Sequence, residues 1–260
     1  MKVVNSPSVR NILSTLWIAT ALLMPQTVWA ETPVENESYY LTLGGRAYDN
    51  WMSLLDRETQ EKRGLKKRDF LKNHPAYPAE GEKQGFTTWR CKECHGWDYR
   101  GSQGAYNAGS HFTGIKGIRA MQGAEPGEIE VILRSDTHRY SLQMIDDETA
   151  WALALFISRG QIDVEKYIDS KTRIARGNPE RGKPLYNTLC TTCHGLMGRE
   201  INFKTPKKPE YVGTLAVKNP WELLHKIRNG HPGEEMISVH ALEIHQQMDI
   251  LSYTQSLPKR

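Results

Sequence analysis

The chain contains four cysteines, and each pair is followed at once by a histidine: Cys91-Lys92-Glu93-Cys94-His95 and Cys190-Thr191-Thr192-Cys193-His194. On one turn of helix, positions i, i+3 and i+4 share a face. Two thiols set there can add to the two vinyl groups of one porphyrin while the imidazole takes the iron from below. Cys-X-X-Cys-His is the attachment signature of c-type haem. Other chemistry for these residues fits less well. A single zinc ribbon is opposed by the 95 residues between Cys94 and Cys190, far more than such sites span. Disulfides would leave two histidines in the same register unexplained. Thioredoxin-like redox pairs need a βαβ setting that the sequence lacks. The expectation is two covalently bound haem c groups, attached through Cys91, Cys94, Cys190 and Cys193, with His95 and His194 as proximal iron ligands.

The elements that must position these residues repeat along the chain. In the second half, Asn178 can cap a helix whose first residue is Pro179, and that helix leads through Gly182 and Tyr186 into the attachment sequence. A helix over Pro220–Arg228, stopped by Asn229-Gly230, and a final helix over about Gln246–Gln255 follow. The first half mirrors them with a helix from Pro126 to Arg134 and an apolar closing helix over Asp147–Ser158. Arg134-Ser135-Asp136 corresponds to Arg228-Asn229-Gly230, and Phe156 to Tyr253. The stretch from Glu31 to Arg90 has no full counterpart. Within it, Gly44-Gly45-Arg46-Ala47-Tyr48 reads as the displaced equivalent of Gly182-Lys183-Pro184-Leu185-Tyr186, and the charged run Arg57–Arg68 as a solvated helix face. Strand signals are nearly absent. The predicted fold is all-α: two helical domains in tandem, each wrapped around one covalent haem, with an N-terminal extension. Their expected bounds are 31–84 for the extension, 85–160 for the first domain, 161–176 for a linker and 177–260 for the second domain.

Both halves resemble class I cytochrome c domains, and the whole resembles tandem two-haem cytochromes c. The second half matches over nearly its full length, the first from about Gly85 to Gly160. The resemblance implies that the first and last helices of each domain cross near the haem edge, and that the second iron takes a methionine from a loop. Met236 lies six residues after Gly230 and 17 before Tyr253, where the family presents that ligand, although Ile237 stands where proline is usual. His231, His240 and His245 are its rivals, and Met248 falls inside the closing helix. In the first half the position matching Met236 holds His138, 18 residues before Phe156. His138 is therefore the expected distal ligand there, with Met144 as the alternative and His111 third. A His/Met pair raises an iron's potential and a His/His pair lowers it, so the second haem is expected to be the higher in potential.

Composition agrees with buried cofactors. Only 38% of residues are hydrophobic and the mean hydropathy is -0.59. Two small domains that polar would be short of core side chains, a shortage that a flat apolar porphyrin relieves. Residues 1–30 read as a secretory signal: Lys2 and Arg10, an apolar run over Ile12–Met24, and Val28-Trp29-Ala30 before the cleavage point. That run is short for a membrane span, and no other segment is apolar enough, so the mature chain is expected in the periplasm. Cleavage leaves 32 bases against 30 acids, which gives no electrostatic case for nucleic acid.

These readings point to a periplasmic carrier of electrons between a donor dehydrogenase and a downstream acceptor, docking transiently with redox proteins. The alternative is a haem oxidoreductase of the thiosulfate dehydrogenase or two-haem peroxidase type. The first of these families uses an axial cysteine, and every cysteine here is already committed to attachment. No nucleotide loop or catalytic triad is visible.

Overall fold

Gly44 and Gly45 sit side by side on the first helix, α1 (Glu37–Asn50), and together they set the layout of the molecule. Neighbouring helix positions point about 100° apart, so two adjacent glycines can admit two different helices. A Cβ at Gly44 would lie 2.6 Å from the Ala152 carbonyl carbon, and one at Gly45 would lie 2.7 Å from the Asn229 side-chain nitrogen. One helix of each half of the chain therefore crosses α1 at close range. The computed structural model describes Met1 and residues 36–259; the expected signal sequence, residues 1–30, lies outside the described residues apart from Met1.

After α1 come α2 (Arg57–Lys62) and α3 (Cys91–His95), then α4 (Pro126–Arg134) and α5 (Asp147–Leu155). The second half adds α6 (Pro179–Leu189), α7 (Thr191–His194), α8 (Val212–Lys218), α9 (Pro220–Asn229) and α10 (Ile244–Ser256). Among the described residues the only extended pairings are isolated bridges, such as Gly101 with Lys116. The expected all-helical character is what the structure shows. The caps follow the sequence signals: the Asn178 side chain accepts from the N–H groups of Glu180 and Arg181, and Asn219 accepts from Glu222 ahead of Pro220.

Two details differ from the sequence reading. The helix expected to run from Asp147 to Ser158 is α-helical only to Leu155, and widens into a π-turn over Phe156–Gly160, the kind of bulge that gathers near functional sites. The charged run from Arg57 is broken at Gly64, whose φ is +70°, so it makes the short α2 and a separate 3-10 turn over Lys67–Phe70.

Buried apolar side chains form two clusters. One joins Ala47, Tyr48 and Trp51 to Phe70, Trp89, Tyr99, Leu153 and Phe156. The other joins Tyr186, Val212, Leu224, Ile227, Met248 and Leu251. Segment 161–176 contributes Val164 and Ile168 to the second cluster, as do Trp97 and Tyr106 from the first half. Helix α9 ties the two together. His225 is 1% exposed and stands against Tyr48, Trp97, Tyr99 and Phe156. Its Nε2 donates to the Gly45 carbonyl (2.8 Å) and its Nδ1 accepts from the Tyr99 hydroxyl (3.2 Å). One residue on, Lys226 donates to the buried Asp49 carboxylate at 2.7 Å, which Arg90 also engages.

Candidate haem sites

Each attachment sequence folds as a short helical turn followed by a glycine in the left-handed region: Gly96 at φ +78° and Gly195 at φ +71°, a conformation that costs glycine little. A tyrosine from the preceding long helix ties each turn down. Tyr48 donates to the Gly96 carbonyl at 2.6 Å, and Tyr186 donates to the Gly195 carbonyl at 3.0 Å. Four residues before each tyrosine a glycine packs on the closing helix. Gly44 meets Ala152, and Gly182 meets Asp249 and Ile250, where a Cβ would lie 2.9 Å from the Ile250 nitrogen. Ala152 and Asp249, the residues so approached, each precede by four the matching aromatics Phe156 and Tyr253. The same glycine, tyrosine and attachment turn thus recur in both halves. The expectation for Gly44–Tyr48 described this geometry.

At the first turn, Arg90 is extended, and its guanidinium bonds the Asp49 carboxylate and donates to the Asp49 carbonyl (2.7 Å). Burial alone would raise the Asp49 carboxyl, but Lys226 and Arg90 hold it well below the usual carboxylate range. The Trp89 carbonyl accepts from Trp51 and Tyr140, so the backbone entering Cys91 is held on both sides. No disulfide joins any of the four cysteines. Burial pushes Cys91 and Cys94 up to about 12, and Cys190 up to about 11, the mark of apolar surroundings.

The structure brings the rings of His95 and His138 close together, with centres 6.1 Å apart and planes inclined by 34°. An iron between two imidazoles needs two metal–nitrogen bonds of about 2 Å plus about 1 Å to each ring centre, or roughly 6 Å in all. The protons are placed to suit. His95 Nδ1 bonds the Lys116 carbonyl (2.8 Å) and His138 Nδ1 bonds the Ile132 carbonyl (3.1 Å). A carbonyl can only accept, so each Nδ1 carries the proton and each Nε2 keeps its lone pair for a metal. Burial lowers both imidazoles, His95 to about 4, which keeps them neutral near pH 7.

The other candidates at this site are engaged elsewhere. Met144 turns its sulfur back to the Ser141 N–H at 3.5 Å. His111 stacks on Tyr106 and bonds Glu93 through Nδ1 at 2.6 Å. Glu93 is fully buried and also accepts from Lys92 at 2.7 Å. Its burial would raise it, but His111 and Lys92 bring it down to about 2.

At the second turn, the His194 ring meets the edge of Phe203, with centres 6.0 Å apart. Its Nδ1 is buried and has no hydrogen-bond partner among the described residues, unlike that of His95. Met236 is half-buried in the loop between α9 and α10, and its carbonyl accepts from Arg46 at 2.7 Å. The rival histidines have other roles: His231 bonds Pro232, His240 bonds the Asn229 side chain at 3.0 Å, and His245 is exposed. Met248 is buried at 1% exposure, as expected of a packing residue.

Among the described residues, no three His, Cys, Asp or Glu side chains converge to hold a metal ion. Two neighbouring imidazoles beside Cys91 and Cys94 instead suit an iron whose remaining ligands come from a porphyrin, so the residues of the first turn fit haem c. Sequence reasoning missed Arg46, His74, Asp49 and His225, which act across long separations. The adjacent glycines at 44 and 45 were the available signal.

Residues 177–248 match the family model described as cytochrome C oxidase, cbb3-type, subunit III. No curated protein and no solved structure matches the chain. The family match spans α6 to the start of α10, including Cys190, Cys193, His194 and Met236. It supports a c-type cytochrome, with covalent haem and haem-based electron transfer as the chemistry of that segment.

Proposed function

We propose that the chain is a two-haem c-type cytochrome that relays electrons, in the periplasm, between a donor dehydrogenase and a downstream acceptor. The observation that carries the reading is the close pair of imidazoles, His95 and His138, each with Nδ1 tied to a carbonyl. It gives the half outside the family match a site of its own. Haem c supplies a one-electron iron couple; the chain supplies ligands, burial and access for partners.

The ligands assigned are His95 and His138 at the first site, and His194 and Met236 at the second. A thioether in place of an imidazole favours a higher potential at the second. Electrons would then pass from the first site to the second. With imidazoles on both faces, the first site offers no open position for peroxide, which favours a carrier over a peroxidase. Partners are redox proteins docking transiently, without nucleic acid and without a membrane span after signal cleavage. Among the described residues, no helix is long and apolar enough to cross a membrane.

The test is the intact mass and redox titration of protein matured in a host that assembles cytochromes c. The reading expects the mass of two haems, two separated potentials and no reaction of either reduced iron with carbon monoxide. One haem, or a high-spin iron that binds carbon monoxide, would overturn it. Reduction by thiosulfate alone at catalytic speed would replace the carrier with an enzyme.

A further inference from the structure

Two carbonyls stand out because each belongs to a residue assigned as a distal ligand. The His138 carbonyl accepts from His74 Nε2 at 2.8 Å. The Met236 carbonyl accepts from Arg46 Nη2 at 2.7 Å. Both donors come from the stretch ahead of the first attachment sequence, for which the second half has no full counterpart.

Each donor is itself held. The Ala76 N–H donates to His74 Nδ1 at 3.1 Å, so the proton of this neutral ring lies on Nε2 and points to His138. The ring lies 4.6 Å from the Trp89 ring, and His74 is 6% exposed. Arg46 uses its fork on two acceptors, Nε to the Asn229 carbonyl at 2.8 Å and Nη2 to Met236, so it spans the end of α9 and the loop that follows. Four residues earlier on the same face of α1, Thr42 meets Ser238 at 3.0 Å. Ser238 already donates to the Arg228 carbonyl at 2.6 Å, so Thr42 is the donor to Ser238. Arg46 and Thr42 therefore fasten the Met236 loop on both sides of the methionine, from a helix that packs in the first half.

We propose that this N-terminal segment is a ligand-positioning strap, in which His74 holds the His138 loop and Arg46 holds the Met236 loop across the two halves. The proposal rests on the ligand assignment above. The strap makes the second site depend on α1, an element that the family match does not include. Neither residue touches an iron. Each acts by keeping a loop closed, so its removal raises the fraction of molecules in which the distal ligand is displaced. A lost hydrogen bond to a charged donor shifts such an opening equilibrium by about tenfold or more.

The experiment uses the full holoprotein with Arg46→Met, which keeps the apolar stem and loses both bonds, and His74→Phe, which keeps a ring against Trp89. The probe is added imidazole, with the Met-to-ferric-iron charge-transfer band read for the second site and the low-spin resonance of the bis-imidazole iron for the first. Arg46→Met should let imidazole displace the band at about tenfold lower concentration and leave the first resonance unchanged. His74→Phe should alter the first resonance and admit carbon monoxide there, leaving the band unchanged. Arg46→Lys and His74→Gln, which keep a donor, should recover part of each effect and also serve where the first variants fold poorly. Variants that lose stability while both sites keep their spectra and imidazole affinity would overturn the strap. Met236→Ala separates the two claims. If the band survives it, the ligand assignment and the Arg46 arm both fall, and the His74 arm is judged on the first site alone.

Discussion

Replacing Glu93 by glutamine removes a charge from the middle of the first attachment sequence while keeping its shape. In the wild type this carboxylate is fully buried, with Lys92 at 2.7 Å and the His111 ring at 2.6 Å. Its pKa is brought down to about 2 from an ordinary value of 4.5. At about 1.4 kcal/mol per pH unit, the fold favours the ionised form by roughly 3 kcal/mol. Breaking a buried pair by removing one partner gives about 3–5 kcal/mol, a matching size. The sign follows from the direction of the shift. A carboxyl depressed on folding contributes stability that is complete above its unfolded pKa and is lost as pH falls toward the folded one. Urea unfolding of holoprotein at pH 7 should therefore show Glu93→Gln less stable by about 3 kcal/mol, and the gap should close as pH falls from about 4.5 to about 2. A gap under about 1 kcal/mol at pH 7, or one that persists unchanged to pH 3, would refute the reasoning.

Other substitutions probe the remaining geometry. His138→Ala should open the first iron to carbon monoxide in the reduced protein, whereas Met144→Leu should leave its spectrum unchanged. Tyr48→Phe and Tyr186→Phe each remove one bond to the carbonyl that ends an attachment turn. Each should cost about 1–2 kcal/mol in urea unfolding, and the two costs should be similar. Gly45→Ala sets a methyl against Asn229, so it should cost about 1–3 kcal/mol by overpacking and shift the second potential more than the first. Asp49→Asn leaves Lys226 and Arg90 sharing a neutral amide, and its cost, measured in the same way, should vanish only at pH values well below the usual carboxylate range.

The two Cys-X-X-Cys-His turns and most helix bounds were legible in the sequence because they are local. Spacing puts Cys91, Cys94 and His95 on one turn, and Asn178-Pro179 or Asn229-Gly230 mark helix ends by their own backbone preferences. His138 could be placed only by counting from the helix end, yet the structure sets it close to His95. What stayed hidden depends on contacts between distant segments. Arg46 reaches Met236 across 190 positions and Lys226 reaches Asp49 across 177. A charged residue on a helix gives no local sign that it is buried against another helix. The π-turn at Phe156 was also invisible, since no residue in Phe156–Gly160 departs from the helical pattern in a way that marks it. The paired glycines at 44 and 45 carried more than was read from them: Gly182 stands alone because α6 meets one helix closely, whereas α1 meets two.

The central claim is that one chain holds two irons with different axial pairs. Near-infrared magnetic circular dichroism of the fully oxidised holoprotein tests it most directly, because bis-imidazole and imidazole–thioether irons give separate charge-transfer bands. The account predicts one band of each kind, at one iron apiece per chain. Two thioether bands, or a signal from a single iron, would contradict it.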